Sequence, residues 1–148
     1  MHIDNSSMSA VVEMLHDGHT VKICPHGNSM RPFIAGGKDN VLLALPDKEI
    51  VKGDFVMARL KSGHYVMHRI VGIDGNKITL CGDANIRFEY CRCEDICAIV
   101  KAIYCKGNKK PVKTDGLKWR IYSFIWMKLY PIRRPLLRIC SMFYKDRH

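Results

Sequence analysis

The chain has 148 residues, 47% of them hydrophobic and 26% charged, with a net charge of +10. That length allows one domain with its own core, and that composition excludes an intrinsically disordered chain. No apolar run approaches 18 residues, which excludes an ordinary transmembrane helix, and seven scattered cysteines, an odd number, exclude a simple disulfide framework. Ser6 or Ser7 stands where it can cap a short first helix, with Val11, Val12, Met14 and Leu15 as the apolar face and Gly18 as the stop. Residues 20–24 alternate as a strand does, and Pro25-His26-Gly27 breaks them before a turn that carries Ser29. Residues 39–45 hold a short buried strand, Val41 to Leu45. Gly53-Asp54 opens another over 55–60, and Ser62-Gly63 is a hairpin signal. Residues 65–73 form the longest expected strand. Asp74-Gly75-Asn76 turns it back into residues 77–81, so that 78–83 lie antiparallel to 66–72. Residues 96–104 are the last strand. Short strands at intervals of about 10 residues predict a mainly β domain, sandwich or barrel-like.

Residues 107–116 read as a linker, rich in Gly, Asn, Lys and Pro. Beyond it, 117–148 is dense in aromatic and aliphatic groups, and Pro131 and Pro135 divide it into two short helices. Eight Lys and Arg face a single acid there, Asp146, so +7 of the net charge belongs to this segment. Cations among aromatics on short helices suit peripheral contact with an anionic membrane face, or a helical pair packed on the β domain. The segment is too apolar for a simple nucleic-acid tail.

Three islands carry chemistry: Gly27-Asn28-Ser29-Met30-Arg31-Pro32, His68-Arg69 and Gly82-Asp83-Ala84-Asn85. A serine hydroxyl is a weak nucleophile until a base lies within hydrogen-bond reach, and a third group orients that base. Each island alone is ordinary: a loop serine, a core histidine between Val66 and Ile70, an aspartate in a turn. Arg69 reads as structural, a partner for a carboxylate or for backbone carbonyls. Cys91-x-Cys93-x3-Cys97 does not have zinc-knuckle spacing, and no metal or cofactor site is expected.

In this order and spacing the islands resemble the S24/S26 serine peptidases, the group of type I signal peptidases and LexA-like self-cleaving repressors, over roughly residues 20–105. A histidine stands where most bacterial members carry a lysine base, so the likeness is closest to the archaeal and endoplasmic-reticulum type. The resemblance implies a fold of coiled antiparallel sheets, here with a short N-terminal helix and a basic C-terminal helical segment. Domain bounds follow: 1–106 catalytic, 107–116 linker, 117–148 tail. It implies Ser29 as nucleophile, His68 as base and Asp83 as its orienting acid, with the Ser29 backbone N–H in the oxyanion hole. Gly27 stands where many bacterial members add a hydroxyl to that hole, and the Asn28 amide is the substitute donor expected here. The substrate would be an extended segment of a peptide or protein precursor, added as a strand along the edge before Ser29. Val21, Ile23, Met30 and Pro32 are the expected contacts. Residues 1–5 lack the basic and apolar regions of a secretory leader, and signal peptidases usually carry an N-terminal membrane span that is not seen here. A cytoplasmic location, or a peripheral one on the inner membrane face, is the expectation. The other readings are an inactive binding module and a LexA-like regulator, for which residues 1–19 are too short to form the DNA-binding domain.

Overall fold

A computed structural model describes residues 5–145. Helix α1 (Asn5–His16) contains Ser6 and Ser7 within its first turn rather than at its cap. Met8, Val11 and Leu15 repeat at helical spacing and are buried, whereas Met14, expected on that face, is exposed. Gly18, at φ +85°, ends the helix. Its N–H reaches Leu15 O and the next N–H, of His19, reaches Met14 O, which is the paired bonding of a Schellman stop.

Eight strands follow: β1 (Val21–Ile23), β2 (Asn40–Ala44), β3 (Phe55–Arg59), β4 (Tyr65–Asp74), β5 (Lys77–Cys81), β6 (Glu89–Arg92), β7 (Ile96–Tyr104) and β8 (Val112–Lys113). All pair antiparallel in one sheet, in the order β1-β2-β7-β3-β4-β5-β6, and β8 joins the far half of β7. A sandwich of two separate sheets is therefore not what forms. Register shifts at Leu42/Leu43, Met57/Ala58 and Ile70/Gly72 mark bulges or irregularities, features that bend and twist a sheet. The expected hairpin is present, with Arg69 opposite Cys81 and Ile73 opposite Ile78. Strands β6 and β8 were not expected.

The central strands are buried on both faces. Phe55, Met57 and Met67 pack with α1 in one cluster, and Val56, Val66 and Ile70 belong to a second. Alternation thus survives in which cluster a side chain joins, although Phe55–Ala58 of β3 and residues 65–70 of β4 are all buried.

In the C-terminal segment, the first helix takes the second of the two expected forms, a helix packed on the β domain. Residues 107–116 include β8, and Thr114 bonds back to Val100 O and Lys101 O. Helix α2 (Leu117–Lys128) then lies on the first cluster through Trp119, whose ring centroid is 5.3 Å from those of both Phe33 and Phe55. A single turn, Tyr130–Ile132, leads into α3 (Arg133–Lys145). Pro131 makes the one break; Pro135 falls in the first turn of α3, where its missing N–H costs no helical bond. Among the described residues no helix is long and apolar enough to cross a membrane.

Candidate active site

Ser29 sits on a loop that several segments brace. Met30 is wholly buried in the first cluster and anchors the loop from within. Gly37 N–H donates to Pro25 O at 2.7 Å. A Cβ on Gly36 would fall 1.9 Å from Gly27 O, so two backbones touch there as only glycine allows. The buried Asp39 carboxylate closes the far side, accepting from Ala35 N–H and Lys106 N–H at 2.8 and 2.9 Å. The peptide bond between Arg31 and Pro32 is cis.

β4 delivers His68 to the same point. Its Nε2 lies 3.3 Å from Ser29 Oγ, within the looser range seen before a substrate tightens such contacts. The imidazole is buried between Val66 and Ile70, with 3% of its side chain exposed. Its other nitrogen, Nδ1, meets Glu89 Oε2 at 2.5 Å. A carboxylate at Nδ1 holds the proton there and leaves the Nε2 lone pair facing the serine. Serine, histidine and acid are therefore brought together, and the acid is Glu89.

Asp83 does not take the place expected for it. Its two oxygens accept from Arg69 Nε and Nη2, both at 2.8 Å, in a bidentate pair with no exposure on either side. The sheet explains the exchange. His68 and Arg69 are neighbours on β4 and point to opposite faces. Asp83, past the end of β5, meets the Arg69 face. β6 returns beside β5 with Glu89 opposite Leu80, which carries that carboxylate to the His68 face. Burial pushes the Asp83 carboxyl up, while the bond and charge of Arg69 oppose that shift. A neutral Asp83 would strand a buried guanidinium, so the pair persists as an ion pair. Arg69 also donates through Nη1 to Gly53 O and Ser123 Oγ, and its guanidinium carbon lies 4.2 Å from the Phe55 ring centroid. Its expected structural role is what the contacts describe.

The Gly82–Asn85 turn serves the serine instead. Ala84 N–H donates to Ser29 O at 2.8 Å. A Cβ on Gly82 would sit 2.6 Å from that same oxygen and 3.1 Å from His68 Cδ2, so glycine is what lets loop, turn and imidazole meet. The turn is held from below by the C-terminal segment. Trp126 Nε1 donates to Asp83 O, and the buried Arg133 donates to Gly82 O and Asn85 O.

The other expected site residues divide. Met30 cannot touch substrate, because it is 0% exposed. Val21 and Ile23 turn their side chains toward the first cluster, so β1 has its backbone rather than those side chains to offer. β1 is a sheet edge, paired with β2 on one side and with no other strand among the described residues. Asn28 is exposed just before Ser29, its carbonyl accepting from Arg31 N–H, and Pro32 is half-buried. Of the cysteines in the 91–97 run, Cys91 is buried on β6, Cys93 is exposed and Cys97 lies on β7. Among the described residues no three His, Cys, Asp or Glu side chains group as metal ligands. Burial raises the Cys81, Cys97 and Cys105 thiols and pushes Cys91 up to about 11. No family model matches the chain, and no curated protein does.

Proposed function

We propose that this chain is a serine endopeptidase of the signal peptidase type, acting on an extended segment of a peptide or protein precursor. One observation carries the reading: Ser29 Oγ, both His68 nitrogens and Glu89 Oε2 stand in hydrogen-bonded series. Ser29 Oγ attacks the scissile carbonyl carbon as its proton passes to His68 Nε2. The carbonyl electrons move onto oxygen, where the Ser29 N–H and the Asn28 amide serve as oxyanion donors. Glu89 stays ionised and balances the imidazolium through Nδ1–H. His68 then gives its Nε2 proton to the leaving amine, and the acyl-enzyme is hydrolysed by a water that His68 deprotonates. The substrate adds to the open edge of β1 as an antiparallel strand, with main-chain bonds supplying affinity.

A serine-reactive acylating probe tests this, with a degenerate peptide library read by mass spectrometry as the second arm. Labelling at Ser29, abolished by Ser29→Ala and reduced at least about 100-fold by His68→Ala, is the expected result. Wild-type protein that neither labels nor cleaves would leave a binding module in place of an enzyme. Cleavage confined to the chain itself would point to a self-cleaving regulator.

A further inference from the structure

We propose that the outward face of α2, continued by the following turn and α3, docks on an anionic lipid surface. The argument starts from an oddity of α2: it is apolar on both sides. Trp119, Ser123 and Trp126 recur at helical spacing and are buried against the sheet. Leu117, Ile121, Phe124 and Ile125 recur on the opposite side, and they are 48–74% exposed. A surface helix normally turns polar groups outward. Here the outward stripe is aliphatic and aromatic, about 18 Å long for 12 residues.

Its borders are cationic. Lys118 and Arg120 flank the stripe, and Lys128 closes its end. Residues 117–145 contain no Asp or Glu at all. The next elements repeat the theme, with exposed Ile132, Ile139 and Met142 beside exposed Arg134 and Arg138. An apolar stripe edged by cations with no acids matches the boundary between acyl chains and anionic headgroups. A second copy fits poorly, since facing stripes would oppose like charges. A polyanion such as nucleic acid would leave the aliphatic side chains without a partner.

A cavity of about 640 Å³ adjoins the stripe through Phe124 and Lys128. Phe88, Met127 and Tyr130 help line it, together with Lys52. Rings beside lysines give that cavity the lining an acyl chain and an anionic head require. Docking would also bring the lipid close to the buried pair that supports the site. Ser123 and Trp126, on the inner side of α2, touch Arg69 and Asp83, so that pair lies one helix diameter, roughly 10 Å, from the lipid.

Vesicle co-sedimentation of the full chain tests the proposal. Vesicles of phosphatidylcholine alone are compared with vesicles containing a third phosphatidylglycerol, at low and high salt. The expected result is binding to the anionic vesicles that weakens with salt and is at least about tenfold poorer on the neutral ones. Ile121→Ser with Phe124→Ser should lower affinity at least about tenfold. Lys118→Gln and Arg120→Gln should each lower it about fivefold. All four positions are exposed, and an unchanged melting temperature verifies the fold. No binding to anionic vesicles by the wild-type chain overturns the proposal whatever the variants do. So does wild-type affinity in the Ile121/Phe124 variant. Two other results also overturn it: dimerisation without lipid that this variant abolishes, which assigns the face to a second copy, and duplex binding as tight as vesicle binding.

Discussion

Replacing Glu89 with glutamine isolates the acid's contribution. The substitution keeps size and hydrogen-bonding capacity but removes the charge that faces His68 Nδ1 across 2.5 Å. With charge centres roughly 4 Å apart and an effective dielectric near 20, the imidazolium–carboxylate attraction is about 4 kcal/mol. His68 is buried, but Glu89 has a third of its side chain exposed, so solvent screens the pair and about 2 kcal/mol is the reasonable share. That energy is about 30-fold in rate. A second effect adds to it. If the glutamine turns its NH2 toward Nδ1, the proton moves to Nε2 and faces the serine, the wrong tautomer, and losses of that kind reach about 10⁴-fold. The assay is the second-order rate of Ser29 acylation by the probe, measured beside Asp83→Asn. Glu89→Gln should fall by about 30-fold or more while melting near the wild-type temperature. A Glu89→Gln protein that acylates within about threefold of wild type would refute the reasoning, and a folded Asp83→Asn protein that loses acylation would return the orienting role to Asp83.

Asp83→Asn should instead act on stability: it leaves the buried Arg69 guanidinium without its counter-charge, at a cost of about 3–5 kcal/mol, or roughly 10 °C of melting temperature by calorimetry. Gly82→Ala should drive the Ser29 loop away from His68, so probe labelling falls at least about tenfold for a stability loss of only about 1–3 kcal/mol. Truncation after residue 116 should yield protein without a cooperative thermal transition, since it removes Trp119 from the core and Ser123 from Arg69. Iodoacetamide at pH 8, mapped by peptide mass, should label the exposed Cys24 and Cys93 well ahead of Cys91. The thiolate is the reactive form, and a thiol pushed up to about 11 is only about 0.1% thiolate at that pH, so equal labelling of Cys91 in native protein would contradict its burial.

Much of the sheet could be read from residue order because turn chemistry punctuates it. Asp74-Gly75-Asn76 sets the β4–β5 register, and that register puts Asp83 in the neighbourhood of His68. Proximity was legible, but partnership was not. Which carboxylate reaches Nδ1 depends on the face each residue joins, and His68 and Arg69 differ by one residue and therefore by one face. Glu89 was hidden because β6 is four residues, Glu-Tyr-Cys-Arg, with charged ends and no β-branched member. The pairing of β6 through Leu80 is what leads to Glu89. Packing of the C-terminal helices on the β domain was one of two expectations, and the residues did not choose between them for a related reason: a helix apolar on both sides does not announce which side meets the core. Met30 and Pro32 were read as neighbours of the nucleophile on the outside, yet Met30 plunges inward and does its service as an anchor.

The carbonyls of the Gly82–Asn85 turn are satisfied by Trp126 and Arg133, which follow their partners by 43 and 51 residues in the chain. During synthesis, the serine, the histidine and the turn are all made before the residues that hold the turn in place. At usual elongation rates that interval is roughly 2–10 seconds. Through it a nascent chain carries a complete set of reactive groups without the framework that aligns them. The alignment of Ser29 with His68 therefore waits on residues made that much later, which ties assembly of the site to synthesis of the C-terminal helices.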